Sequence, residues 1–166
     1  MKTIELTQGK VTVVDDDVWE WASKLNWFAA HCHGTWYARR EVILGRTSGG
    51  KRIRHTEHLH RMIIGDLTEE VLTDHKDGDG LNNLRSNLRP CTHGQNVKNV
   101  RVSRINNKTG FKGVSFKTAN RRYQAQIELD GRNIYLGLFD STLEAAKAYN
   151  TAAVKYHGEF ARLNTI

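Results

Sequence analysis

The chain has little with which to staple itself or enter a membrane. Its two cysteines, Cys32 and Cys91, belong to no paired-cysteine spacing. That excludes a structural zinc of the paired-cysteine kind and leaves no disulfide framework. No apolar run reaches the roughly 20 residues that a membrane helix needs, and the opening MKTIELTQGK has no signal-peptide pattern. The expectation is a reduced, intracellular protein with no membrane partner. A calcium loop is excluded as well: counted from Asp77, the twelfth position that must hold a bidentate Glu is Leu88.

Acidic charge is also scarce over a long stretch. Lys and Arg number 25 against 18 Asp and Glu, for a net charge of +7 and a pI near 9.6. The acids gather at Asp15, Asp16, Asp17 and Glu20 and again after residue 73, whereas Lys98, Arg101, Arg104, Lys108, Lys112, Lys117, Arg121 and Arg122 run almost unopposed. That distribution suits a polyanionic partner.

What is present centres on TDHKDGDGLNNLRSNLRPCTHGQNVKN at 73 to 99. Val71, Leu72 and Thr73 are a short β-favouring run ending at Asp74 and His75, after which Gly78 and Gly80 permit a tight polar loop. Adjacent strand residues point to opposite sides, so Asp74 and His75 can serve different partners at one strand end. Asp74 offers a hard oxygen ligand for Mg²⁺ or Mn²⁺, ions often held by few protein groups with water and phosphate completing the shell. Asn96 offers an amide oxygen from a following helix, with Thr92 as its N-cap and Gln95 at the third position. His75 suits a general base acting near neutral pH, and Asn87 is the candidate to orient its ring. His60 and His93 are site-adjacent candidates, and His93, one turn before Asn96, leaves open which of the two reaches the metal.

LHRMI at 59 to 63, DHKDGDGLNNLRSNLR at 74 to 89 and THGQNVKN at 92 to 99 resemble the HNH endonucleases of phages and mobile introns. The resemblance implies a ββα-metal finger in which Asp74 and Asn96 hold one divalent cation, His75 activates water and Asn87 orients it. It also implies metal-dependent cleavage of double-stranded DNA with no small-molecule cofactor, in a bacterial or phage-infected cytoplasm. One such site cuts one strand, so a monomer should nick and a double-strand break would need a homodimer or two events. The alternative is a non-catalytic, sequence-specific DNA-binding regulator that carries a degenerate finger.

Residues 101 to 110, RVSRINNKTG, have no hydrophobic period and read as a basic linker. Beyond it Val114 and Phe116, then Tyr123, Ala125 and Ile127, then Ile134 and Leu136 alternate with polar residues. With turns at Asn120 and at Asp130-Gly131, this predicts a three-stranded antiparallel meander. Ser141 and Glu144 form a capping box for a helix that Gly158 closes, expected to cover the apolar face. GFKGVSF, YQAQI, IYLGLF and LEAAKAYNTAAVKYHGEFARLN resemble the APETALA-type DNA-binding domain. The resemblance implies a sheet laid in the major groove, with Lys112, Ser115, Lys117, Gln126, Glu128, Asn133 and Tyr135 at its DNA-facing positions, and Gln124 and Arg121 also expected on that side. Gln and Asn read adenine edges, and Lys reaches guanine or phosphate.

In residues 1 to 58, KVTVV and TWYAR read as strands, Asp15 or Asp16 as the cap of a short helix, and RTSGGKRIR as a hairpin turning at Gly49-Gly50, with Trp19, Trp21, Trp27 and Trp36 in the core. The expected class is α+β: a β-rich region at 1 to 58, the nuclease finger at 59 to 100, the linker at 101 to 110 and the sheet-and-helix domain at 111 to 166.

Overall fold

The computed structural model describes every residue except His33, Asp66, Leu67, Glu69, Glu70 and residues 100 to 106. Arg101 and Arg104, and most of the stretch expected as a linker, therefore lie outside the described residues. The protein is α+β, with several small antiparallel sheets, and it divides into two compact units, Met1–His93 and Gly94–Ile166.

In the first unit, β1 (Lys2–Glu5) pairs antiparallel with β2 (Val11–Val14), and α1 (Asp16–Ala22) follows. The Asp15 side chain does not cap α1; it accepts from the Arg85 backbone N–H at 2.8 Å instead. β3 (Phe28–Cys32), the 12-residue β4 (Thr35–Arg46) and β5 (Arg52–His58) form a meander whose long hairpin carries Arg46 opposite Arg52. β5 runs straight into α2 (Leu59–Ile64). The polar loop of the motif then joins β6 (Leu72–His75) to β7 (Leu88–Cys91), with Asp74 opposite Arg89 and His75 opposite Leu88.

One core serves this whole unit. Val14, Val18, Ala22, Trp27, Ala29 and Ala38 pack in the same cluster as Leu59, Ile63 and Leu88, so the residues on both sides of position 58 bury a common interior. Trp27 lies in that core, while Trp19, Trp21 and Trp36 pack on it partly buried. Truncating the fully buried Leu59 to Ala would cost about 2 to 5 kcal/mol.

The second unit takes in α3 (His93–Asn99) from Gly94 onward, and then β8 (Val114–Lys117), β9 (Arg122–Leu129) and β10 (Arg132–Phe139) in the order β10-β9-β8. α4 (Thr142–His157) covers the sheet with Ala145, Ala146, Tyr149, Ala152 and Ala153. Its start is the expected capping box: Ser141 accepts from the Glu144 backbone N–H, and Glu144 accepts from that of Ser141, each at 3.2 Å. Gly113 is set by a close approach. Its φ is +73°, and a Cβ there would sit 2.1 Å from the Tyr149 ring, so the residue that leads into β8 can lie against α4 only as a glycine.

Candidate active site

β2 organises the motif loop. The Val13 backbone N–H donates to the Leu81 carbonyl at 2.9 Å and the Asn83 N–H to the Val13 carbonyl at 2.8 Å, a short parallel bridge that pins residues 81 to 83. Gly80 lets the same loop lie against β4, because a Cβ there would fall 2.4 Å from the Trp36 carbonyl oxygen.

A chain of side-chain hydrogen bonds follows from that docking. Thr12 Oγ1 donates to the Leu81 carbonyl at 2.7 Å and accepts from Asn83 Nδ2 at 2.7 Å. Asn83 Nδ2 also lies 3.4 Å from the Gly80 carbonyl, an acceptor only, so the amide is oriented with Oδ1 on its other side. That oxygen sits 3.2 Å from His75 Nε2. The network therefore assigns the proton to Nε2, and Nδ1 becomes the nitrogen that bears the lone pair. Thr12 and Asn83 are both 0% exposed, which makes any breach of this chain costly.

Asn87 does a different job from the one expected of it. Its Oδ1 accepts from the Asp77 backbone N–H at 3.2 Å, while its Nδ2 donates to Asp77 Oδ1 at 3.0 Å and to the Asn82 carbonyl at 2.8 Å. Asp77 also receives the Asp79 N–H at 2.8 Å and Asn82 Nδ2 at 2.8 Å. Burial pushes the Asp77 carboxyl up, but these hydrogen bonds outweigh it and hold it below the ordinary value. Asn87 thus clamps the loop, and Asn83 is the residue that meets His75.

Asp74 is buried and bound by its cross-strand neighbour: Arg89 Nε and an Arg89 terminal nitrogen approach Oδ2 at 2.8 and 2.7 Å. Behind His75 stands a row of rings. The His60 ring is 5.1 Å from that of His75 and nearly perpendicular to it, His58 is 5.2 Å from His60, and Tyr37 is 5.6 Å from His60 and 5.9 Å from His75. Burial lowers the proton affinity of His75, against the raising effects of the Asn83 bond and of Asp77, Asp74 and Asp79. Burial likewise brings His58 down to about 4, helped by Arg39, and His60 to about 2, helped by His75 and His58. All three imidazoles are held toward their neutral form.

For a metal, the donor set is sparse. Among the described residues no group of three or more His, Cys, Asp or Glu side chains could hold an ion. A single hard carboxylate next to a neutral imidazole fits a Mg²⁺ or Mn²⁺ that keeps most of its shell for water and phosphate, and not a zinc site with four protein ligands. Asn96 is half-buried on α3 and His93 is exposed at the start of that helix.

In the second unit, Ser115 pairs with Gln124, Tyr135 with Gln126 and Asn133 with Glu128 across the sheet. Lys117, Arg121, Glu128, Asn133 and Tyr135 are exposed, and Gln124 donates to Gln126 at 2.9 Å. Lys108 is exposed and Lys98 half-buried. Lys112 differs from these. Its ammonium donates to the Lys98 carbonyl at 2.6 Å, and burial lowers its pKa to about 8, so it is a partly buried brace and not a free cation of the sheet face.

No protein-family model matches the chain. Over 159 residues, 96% of this chain and 77% of the relative, it is 29% identical to a protein of Acanthamoeba polyphaga mimivirus named as an uncharacterized HNH endonuclease. It is 36% identical over 72 residues to an AP2-like ethylene-responsive transcription factor of Arabidopsis thaliana, and 47% identical over 51 residues to an AP2/ERF and B3 domain-containing transcription factor of the same plant. The likeness is double, HNH-like and AP2-like. The two plant matches take in 43% and 31% of this chain but only 15% and 14% of the plant proteins' lengths.

Of the residues named for the HNH-like likeness, Asp74 and His75 sit side by side at the end of β6. Sequence reasoning missed Asn83 and Thr12. The doubled Asn82-Asn83 was a usable signal, since only one of the two can point inward from an extended segment, but Thr12 left no local trace.

Proposed function

We propose that the protein is a metal-dependent DNA endonuclease whose C-terminal sheet-and-helix unit supplies DNA binding. The observation that carries the reading is the buried, neutral His75, fixed in one tautomer by Asn83 and adjacent to Asp74. In this reading Nδ1 of His75 takes a proton from water as the water oxygen bonds to phosphorus, and the bond from phosphorus to the leaving sugar oxygen breaks. Asp74 and Asn96 are the proposed oxygen ligands of one divalent cation, which when bound offsets charge developing on the phosphate and the leaving oxygen. Arg89 holds the Asp74 carboxylate in place, and Asn87 holds the loop between the strands. The name of the viral relative and the names of the plant relatives support the two halves of the proposal.

A second reading is a non-catalytic DNA-binding regulator. It rests on the plant matches, 36% identical over 72 residues and 47% over 51, which bear on DNA binding and not on cleavage. Supercoiled plasmid incubated with Mg²⁺ or Mn²⁺, with and without chelator, separates the two. Metal-dependent conversion to nicked or linear DNA by the wild type, lost in His75→Ala, is the expected result, and binding without conversion would establish the regulator.

A further inference from the structure

Three buried polar atoms on neighbouring elements have no hydrogen-bond partner: Nε of Arg39, Nδ1 of His58 and Nδ1 of His60. They belong to one patch. Arg39 on β4 is the direct cross-strand partner of His58 on β5, and β5 passes without a break into α2, which carries His60. Tyr37, two residues before Arg39 and so on the same face of β4, has its ring 5.9 Å from the Arg39 guanidinium carbon. The row continues through His60, 5.2 Å from His58, to His75, 5.1 Å from His60. All of these residues lie within the first unit.

Leaving such groups unsatisfied is expensive. A buried donor or acceptor without a partner costs about 1 to 3 kcal/mol, and more if charged. His60 is only 7% exposed, whereas Arg39 and His58 are half-buried and give the patch its open side. Two neighbouring arginines on the same strands are matched, Arg40 by Glu57 and Arg54 by Glu41, while Arg89 neutralises Asp74. Arg39 joins no ion pair among the described residues. Ring nitrogens in a row can serve a cation, but here a permanent positive charge stands among them. A guanidinium flanked by imidazoles is instead the donor set for an oxyanion with several oxygens, and Arg in particular forks onto phosphate.

We infer that Arg39, His58 and His60 form a phosphate-binding wall beside His75, which takes the non-bridging oxygens of a nucleic-acid phosphodiester. Arg39 supplies charge and a forked donor, and the two imidazoles beside it supply N–H donors. The wall rests on the endonuclease reading for its purpose, since a phosphate seated there lies next to the proposed base. Its occupancy does not depend on cleavage and is measured without metal.

The test uses the full chain labelled with ¹⁵N-histidine, in chelator. The ring nitrogens of His58 and His60 are followed while thymidylyl-thymidine, which carries one phosphodiester, or its uncharged methylphosphonate analogue is added. Saturable shifts of both Nδ1 signals with the diester, and at least ten times weaker binding of the analogue, are the expected result. Arg39→Gln should weaken diester binding tenfold or more, and Arg39→Lys should fall between. Shifts of equal size with both ligands, no shift at all, or undiminished binding by a folded Arg39→Gln would overturn the wall. The comparison of the two ligands needs no variant, so a misfolded substitution leaves the test intact. Cutting of plasmid with metal but no histidine response refutes the wall alone, whereas a histidine response without cutting refutes the nuclease reading and leaves the wall standing.

Discussion

His75 Nε2 lies 3.2 Å from Asn83 Oδ1, and Asn83 is itself held by Thr12 from a strand that precedes it by more than 60 residues. The imidazole is therefore oriented from the N-terminal hairpin as well as from its own strand. Because Thr12 gives its hydroxyl proton to the Leu81 carbonyl, it can meet Asn83 only as an acceptor, and the direction of every bond in the chain is determined.

Thr12→Val keeps the shape of the side chain but removes both bonds, leaving the Asn83 amide short of a buried acceptor. The expected cost is about 1 to 3 kcal/mol of stability, seen as a lower midpoint in denaturant, with a drop in cleavage rate greater than the change in DNA affinity. Thr12→Ser retains the hydroxyl and should restore the rate. If Val and Ser variants cleave alike, the chain from Thr12 does not orient the base.

His75→Ala should lower the cleavage rate by roughly 10² to 10⁴ while gel-shift affinity stays within a few-fold. Burial lowers the His75 proton affinity from its ordinary 6.5. The neutral, proton-accepting ring then persists to lower pH, and the acid limb of the pH–rate profile should fall below 6.5. An acid limb above that value would contradict the assignment of His75 as the base.

Metal titrations address the proposed ligands. Asp74→Asn removes a charged ligand but keeps an oxygen for Arg89, and it should raise the Mg²⁺ or Mn²⁺ concentration needed for half-maximal cleavage; Asn96→Ala should do the same. His93→Ala should shift it less. A damaging His93→Ala beside a silent Asn96→Ala would transfer the ligand role to His93.

Acid stability should depend on His60. Its proton affinity is lowered to about 2 in the fold against an ordinary value of 6.5, so the unfolded chain binds the proton first. Stability from this group is fully present above pH 6.5 and declines as pH falls from there toward 2, by about 2 kcal/mol between pH 7 and pH 5. His60→Phe should flatten that part of the curve. Thermal melts of both proteins across this range read it directly.

On the sheet face, Lys117→Ala and Arg121→Ala should weaken binding to every duplex and reduce the salt slope by about 1 each. Gln126→Ala should relax preference at one base position, worth roughly 1 to 3 kcal/mol. Selection from randomised duplexes by residues 108 to 166 measures both effects, and recovery of no preference at any salt would move specificity to residues 1 to 107.

The local patterns carried much of the architecture. The alternation around Val114, Ala125 and Ile127, the capping box at Ser141 and Glu144, and the turn at Asp130-Gly131 each depend on neighbours within a few residues, so periods of 2 and 3.6 and turn chemistry suffice to read them. The run ending at Asp74-His75 was legible as a strand end for the same reason. What the tertiary structure decided is every relation between distant segments. Asn82, Asn83 and Asn87 are alike in a sequence, and only the docking of β2 on the loop, through Val13 and Thr12, turns Asn83 inward to His75 and leaves Asn87 to clamp Asp77. Likewise a solitary Lys112 reads as a free cation until the fold brings the Lys98 carbonyl to its ammonium. The shared core of Val14, Leu59 and Leu88 was equally invisible, because burial is set by packing among remote residues and leaves no periodic mark on any one of them.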